Sequence, residues 1–168
     1  FVLLSQMLPL TVLLLPLFQL VSTLGMGDTI PGLALVHLTI TMPLSTWMLY
    51  SYFRSIPTDL EDAARVDGSS HLGAFVRIIV PIAAPGVVAT AVFAFLMSWN
   101  EFLLASVITN SLASQTVPVG LSKFSNQFAV DWGSTMAAAV MMSLPVILAF
   151  LLVQRYFVQG LSAGAVKG

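Results

Sequence analysis

The chain has 168 residues, 58% of them hydrophobic and only 8% charged, and a net charge of −1, which excludes a water-soluble domain of ordinary composition. Its six Lys and Arg residues are spread along the chain, which excludes the clustered basic surface that binding to nucleic acid requires. It contains no cysteine, and its two histidines, His37 and His71, fall in different segments, so disulfides, thiolate metal sites and a Cys/His pair are excluded as well.

A helix that crosses about 30 Å of hydrocarbon needs roughly 20 residues with few or no charges. Four segments meet that requirement, at 1–24, 33–53, 80–107 and 134–156, and they predict an all-α fold, a polytopic transmembrane helical bundle forming a single domain over 1–168. The first segment opens at Phe1-Val2-Leu3-Leu4, inside an apolar run and without a methionine, and reads as part of a longer subunit rather than as a signal peptide. It carries Pro9 and Pro16, and the second segment carries Pro43; within spans these are expected to kink the helix, not to end it. Between the two, Gly25-Met26-Gly27-Asp28-Thr29-Ile30-Pro31-Gly32 reads as a tight turn that makes them an antiparallel pair. His37, in the second span, reads as a hydrogen-bonded packing residue.

The stretch from Pro57 to Pro81 is different. Asp59, Glu61, Asp62, Arg65, Asp67 and Arg77 concentrate charge there, and uncharged apolar runs flank it on both sides. Thr58 and Glu61 have the spacing of a capping box, the Thr58 hydroxyl accepting from the Glu61 amide and the Glu61 carboxylate reaching back to the Thr58 amide. Asp59, Glu61 and Asp62 in the first turn suit the positive end of the helix dipole, and Gly68 is placed to close the helix in the left-handed conformation near Asp67. Ser69 or Ser70 can then cap a second helix, whose Leu72, Phe75, Val76 and Ile79 form one apolar stripe expected to pack on the bundle. Such an elaborate connection between two spans predicts an interface with a cytoplasmic partner.

In the third span, Glu101 is a lone acid. At mid-membrane such a charge costs about 2.5–3.5 kcal/mol, so it is expected to face protein or water. About twenty residues beyond Pro81, it lies roughly 30 Å along the helix, near the far face of the membrane. Trp99, just before it, suits an anchor at the membrane interface. The loop 108–133 is rich in Ser, Thr, Asn and Gln, is punctuated by Pro118 and Gly120, and carries Phe124, Phe128 and Trp132 as apolar surface. By composition, the tail 157–168 is a flexible end. Arg54, Arg65, Arg77, Arg155 and Lys167 fall at the island and the tail, and only Lys123 falls in the 108–133 loop, so the island and tail are assigned to the cytoplasm and the 25–32 turn and 108–133 loop to the outside.

The island resembles the cytoplasmic loop of ABC importer permeases, written Glu-Ala-Ala, three residues, Gly, nine residues, Ile, one residue, Leu-Pro. Here it reads Asp62-Ala63-Ala64, Gly68, Ile78 and Val80-Pro81, at the same spacing. Leu60-Glu61-Asp62-Ala63-Ala64-Arg65-Val66-Asp67-Gly68, Trp99-Asn100-Glu101-Phe102 and the tail from Gln159 to Gly168 are similar to the carbohydrate-uptake branch, in particular to the second permease of maltose-type systems. The resemblance implies the last four of six spans of a bacterial inner-membrane, multi-pass subunit that carries a di- or oligosaccharide. It implies a second permease, a pair of ATPase subunits that hold ATP and Mg, and an extracytoplasmic sugar-binding protein, with lipid around the bundle and no cofactor on this chain. It assigns ATPase coupling to Glu61, Asp62, Ala63, Ala64, Asp67 and Gly68, ATPase contact to Gly160, Leu161, Gly164 and Lys167 in the tail, and the side facing the binding protein to the 108–133 loop, and it makes Trp99, Asn100 and Glu101 candidates for the translocation path, where Trp99 could stack on a sugar ring. The family most often has Glu where Asp62 stands. Asp62 is then the free carboxylate if Glu61 is held in the capping box, and the choice between the two stays open.

No Gly-x-x-x-x-Gly-Lys-Ser/Thr loop occurs in the sequence, so the resemblance places ATP hydrolysis on partner subunits and makes this chain a transporter part and not an enzyme. A polyol or glycerol-phosphate is the nearest alternative cargo. An ion-driven carrier would keep several ionisable relays within its spans, where this chain offers only Glu101 and His37. A non-transporting membrane receptor that docks a signalling partner is the other rival.

Overall fold

A computed structural model describes residues 2–124 and 131–165, with side chains over 5–124 and 131–154. The described residues are helical with short connections: a 3-10 helix at Val2–Met7, α1 at Leu10–Thr23, α2 at Ile30–Arg54, α3 at Asp59–Val66, α4 at His71–Ala74, α5 at Val80–Trp99, α6 at Leu103–Ile108, α7 at Val117–Ser122 and α8 at Trp132–Ala165. A turn of wider, π-helical winding at Phe75–Ile79 joins α4 to α5, so that His71–Trp99 is one rod. Among the described residues three helices are long and apolar enough to cross a membrane: Ile30–Arg54, His71–Trp99 and Trp132–Gln154. Val140, Met141, Leu148, Phe150 and Leu152 lie exposed on the last of them, a surface that water would penalise and lipid would not.

Two of the four expected spans are revised. The expected span 1–24 is broken at Leu8-Pro9, and α1 keeps 14 residues, about 21 Å, which is short of a crossing. Pro9 has no amide hydrogen and disfavours helical backbone at Leu8, so at this position proline ends the helix, whereas Pro16 and Pro43 lie inside α1 and α2. The span expected at 80–107 begins earlier, at His71, and stops at Trp99. There the Asn100 side chain donates to the Leu96 carbonyl (2.8 Å), and Glu101 takes up the amides of the next helix, so local side chains replace the continuing backbone ladder.

The core lies in three clusters. Val21, Val36, Leu104 and Ile108 are buried together, with Leu14, Leu17 and Ile40 packed around them. Beside them Leu33, Ala105 and Val119 bring α7 onto α2 and α6. At the opposite end of α2, Ile56, Ile79 and Ala83 form a smaller cluster with Tyr52 and Phe53. Close approach of α2 and α5 depends on Gly86, because a Cβ there would fall on the Tyr52 ring.

The turn before α2 and the connection after α6 share one end of the bundle, as expected of two loops on the same side. The Asp28 amide donates to the Ile108 carbonyl (3.1 Å). The Asp28 carboxylate accepts from the amides of Asn110 (2.7 Å) and Ser111 (3.0 Å) and from the hydroxyls of Ser111 and Ser114. The Ser114 hydroxyl, followed by those amides, holds the Asp28 carboxyl well below the usual carboxylate range. Asp131 begins α8 in a similar way, accepting from the Ser134 amide (3.1 Å) and hydroxyl (2.6 Å), and its carboxyl is likewise lowered, chiefly by the Ser134 hydroxyl.

Candidate functional site

The charged island folds as a short helix, a glycine stop and a second helix, in the expected order. α3 spans Asp59–Val66, Asp67 follows as its C-cap, and Gly68 adopts φ +87°, a conformation that strains any other residue. The amides of Gly68 and Ser69 then return to the carbonyls of Arg65 and Ala64 (3.0 Å each). Of the two serines offered as caps, Ser70 is used, its hydroxyl accepting from the Gly73 amide (3.1 Å).

The capping box is not formed. Thr58 is itself in the helical region, its side chain makes no cap hydrogen bond, and its carbonyl takes the amides of Glu61 (2.9 Å) and Asp62 (3.1 Å). A capping side chain needs extended backbone at its own position to reach the third amide, and Thr58 lacks it. Glu61 instead points across the glycine stop, where its Oε1 accepts from His71 Nδ1 at 2.8 Å. Asp62 faces outward, with Arg65 at 3.8 Å as a loose, solvent-exposed companion.

The faces of α3 therefore differ. Ala64 is buried (4% exposed) and Glu61 is half-buried, so these two hold the helix against the chain. Asp59, Asp62, Ala63 and Val66 follow the i, i+3, i+4, i+7 pattern on the outward face, and Val66 is 87% exposed. The apolar stripe of the next helix is only partly packed: Ile79 is buried and Phe75 stacks on Phe53 (6.1 Å), while Leu72 and Val76 stay exposed. The wider winding at Phe75–Ile79 also departs from the even spacing of the regular α-helix on which that stripe was read.

The second set of candidates lies at the other end of the rod and is not brought together with the island. Glu101 is buried, 8% exposed, and its two oxygens accept from the amides of Leu104 (2.8 Å) and Ala105 (3.0 Å). His37 of α2 stands 3.3 Å from Glu101 Oε2, in the packing role expected of it. Trp99 stacks on Phe95 (5.5 Å) and donates its indole hydrogen to the Met142 carbonyl of α8 (3.1 Å), so it ties α5 to α8. Asn100 is exposed. A cleft of about 420 Å³ reaches Glu101 past Gln6, Thr39 and Met97, and a second of about 220 Å³ reaches His37 past Phe95, Ser98, Trp99 and Thr116. Each member of the His37–Glu101 pair thus lines a different cleft.

In the tail, α8 continues to Ala165, so Gly160, Leu161 and Gly164 are on helical backbone where composition suggested a flexible end, and Lys167 lies outside the described residues, as does Phe128 of the loop. Sequence reasoning missed the Asp28 clamp and the Glu61–His71 pair. An acid set among glycines was the available signal for the first. The second had none at helical spacing, because ten residues and a chain reversal separate the partners.

The sequence that folds in this way also matches a known family. Residues 1–163 match the family described as binding-protein-dependent transport system inner membrane component. The chain belongs to that family. It is 44% identical over 168 residues to the trehalose transport system permease protein of Mycobacterium tuberculosis, covering 99% of this chain and 61% of that protein. It is 40% identical over 153 residues to the trehalose/maltose transport system permease protein of Thermococcus litoralis (90% and 55%) and 36% identical over 165 residues to the diacetylchitobiose uptake system permease protein of Streptomyces coelicolor (98% and 60%). This inner membrane component therefore spans between 55% and 61% of the length of these relatives.

Proposed function

We propose that this chain is part of a permease subunit of an ATP-driven importer of di- or oligosaccharides, in a bacterial inner membrane. The observation that carries the reading is the outward face of α3. Asp59, Asp62, Ala63 and Val66 offer carboxylates beside small apolar groups, on a helix held at the end of a 29-residue apolar rod. A basic, apolar-lined groove on an ATPase subunit is the complementary surface, with small side chains letting the two backbones approach closely. Closure of the ATPase pair then moves the rod as a rigid body. The names of the relatives, for trehalose, maltose and diacetylchitobiose systems, support a sugar as cargo.

In this reading the island and tail face the cytoplasm, and Gly160, Leu161, Gly164 and Lys167 contact the ATPase subunits, which hold ATP and Mg. The 108–133 loop faces an extracytoplasmic sugar-binding protein, and a second permease completes the path. The cleft lined by Glu101 and the cleft lined by His37 and Trp99, with Asn100 exposed between Trp99 and Glu101 in the chain, are this chain's share of the path.

The test is Asp62→Lys in the complete subunit, assembled with its partners. Copurification of the ATPase is expected to be lost and ATP-dependent sugar uptake to fall by roughly tenfold or more, because a like charge is set against the basic groove. Unchanged copurification and uptake would overturn the docking role. Titrating the cognate binding protein with mono-, di- and oligosaccharides identifies the cargo, and binding confined to polyols or glycerol-phosphate would refute the di- or oligosaccharide assignment.

A further inference from the structure

We propose that the Glu61–His71 pair is the joint that makes α3 and the rod starting at His71 a single lever, so that these two residues position the docking helix without touching the partner. The inference rests on the docking role of α3 proposed above.

Three observations lead to it. First, α3 is lightly packed: Ala64 is its one buried side chain, Leu60 is left 38% exposed, and the Gly68 turn adds backbone hydrogen bonds with no side chain of its own to pack. A helix of eight residues packed through so few side chains and followed by a left-handed glycine can pivot about that turn. Second, the Glu61 carboxylate accepts from His71 Nδ1 at 2.8 Å, from the opposite side of the pivot, so swinging α3 away breaks the bond. An ionised carboxylate only accepts, so the ring hydrogen must stand on Nδ1. Third, His71 is the first residue of α4, and through the π-helical turn the same rod continues to Trp99. Motion imposed on α3 therefore reaches the far end of α5 only as faithfully as the pivot is held.

The geometry also resolves which carboxylate is free. Glu61 is occupied inside the chain, and Asp62, whose side chain is 71% exposed, is the one presented to a partner. Both members of the pair remain partly in water, 38% exposed for Glu61 and 70% for His71, so its contribution is of modest size.

The experiment uses the complete subunit in the assembled, reconstituted importer and reads sugar transported per ATP hydrolysed, together with copurification of the ATPase. His71→Ala is expected to keep the ATPase bound and to lower the transport-to-ATP ratio by roughly two- to fivefold, the range of one exposed charged pair. Glu61→Ala should lower the ratio by the same factor, and the double variant should be no worse than either single one, because all three remove one interaction. His71→Asn, whose side-chain amide sets a donor near the position of Nδ1, should restore the ratio, which a general packing defect would not allow. A wild-type ratio in both single variants, or multiplicative losses in the double variant, would overturn the joint. Asp62→Lys keeps the two ideas apart: loss of ATPase copurification there with no effect of the His71 and Glu61 variants refutes the joint alone, while intact copurification in Asp62→Lys refutes docking through α3.

Discussion

The two ends of the α2–α5 pair are built differently. At the end that holds Asp28 and Glu101, every acid is satisfied from inside the chain: Asp28 by two amides and two hydroxyls, Glu101 by two amides and His37. Val21, Val36, Leu104 and Ile108 are packed beside them and almost fully buried. At the island end the core shrinks to Ile56, Ile79 and Ala83, a single exposed pair braces α3, and Asp59, Asp62 and Val66 face outward. The chain thus satisfies its acids from within at one, closed end and leaves carboxylates beside small apolar groups at the other, open end, the surface on which the proposed docking rests.

The most damaging change to the closed end is expected to be Glu101→Ala. It leaves the buried amides of Leu104 and Ala105 without an acceptor and costs about 3 kcal/mol, read as a lowered thermal unfolding midpoint of the detergent-solubilised subunit. Glu101→Gln, which keeps a carbonyl oxygen, should recover much of that loss. If both variants melt like wild type, the closed end is not held by its polar bonds.

At the open end, Gly86→Val should cost about 1–3 kcal/mol by driving side-chain atoms into Tyr52, and the additional change Tyr52→Ala should relieve part of it. An additive double variant would mean that α2 and α5 do not meet there. A smaller effect, with a defined pH window, is expected of Asp28→Asn. The folded Asp28 carboxyl is held below its ordinary value, so the stability it contributes is fully present above about pH 4 and is lost as pH falls through the lowered value. The gap in melting temperature between wild type and Asp28→Asn should accordingly be constant from pH 7 to about pH 5 and narrow only in strong acid. Thr58→Ala should do least, changing stability by less than about 0.5 kcal/mol, because the hydroxyl makes no cap bond; a loss near 1 kcal/mol would restore the capping box.

Much of this contrast could be read from residue order. Long uncharged runs require helices in a bilayer, so the apolar character of α2, the rod and α8 follows from composition. Gly68 marked the end of α3 because few other residues tolerate its backbone, and the spacing from Asp62 to Pro81 carried the family resemblance. A lone acid in an apolar run had to find partners, and Glu101 did. What was not legible came from competition between side chains and backbone. Pro9 and Pro16 are equivalent in sequence, yet one ends a helix and the other lies inside one. Asn100 and Glu101 look like two polar residues late in a span, but their side chains take over the bonds that would have continued it.

Sequence by itself determined the solvent, the helical class, the position of the charged island and its order of helix, glycine stop and helix, because each depends on local chemistry repeated over a turn or on the cost of charge in hydrocarbon. Only the tertiary structure decided which carboxylate is free. Glu61 and Asp62 are neighbours in the chain but project about 100° apart around α3. The reversal at Gly68 carries His71 back to one of them, leaving Asp62 on the exposed face.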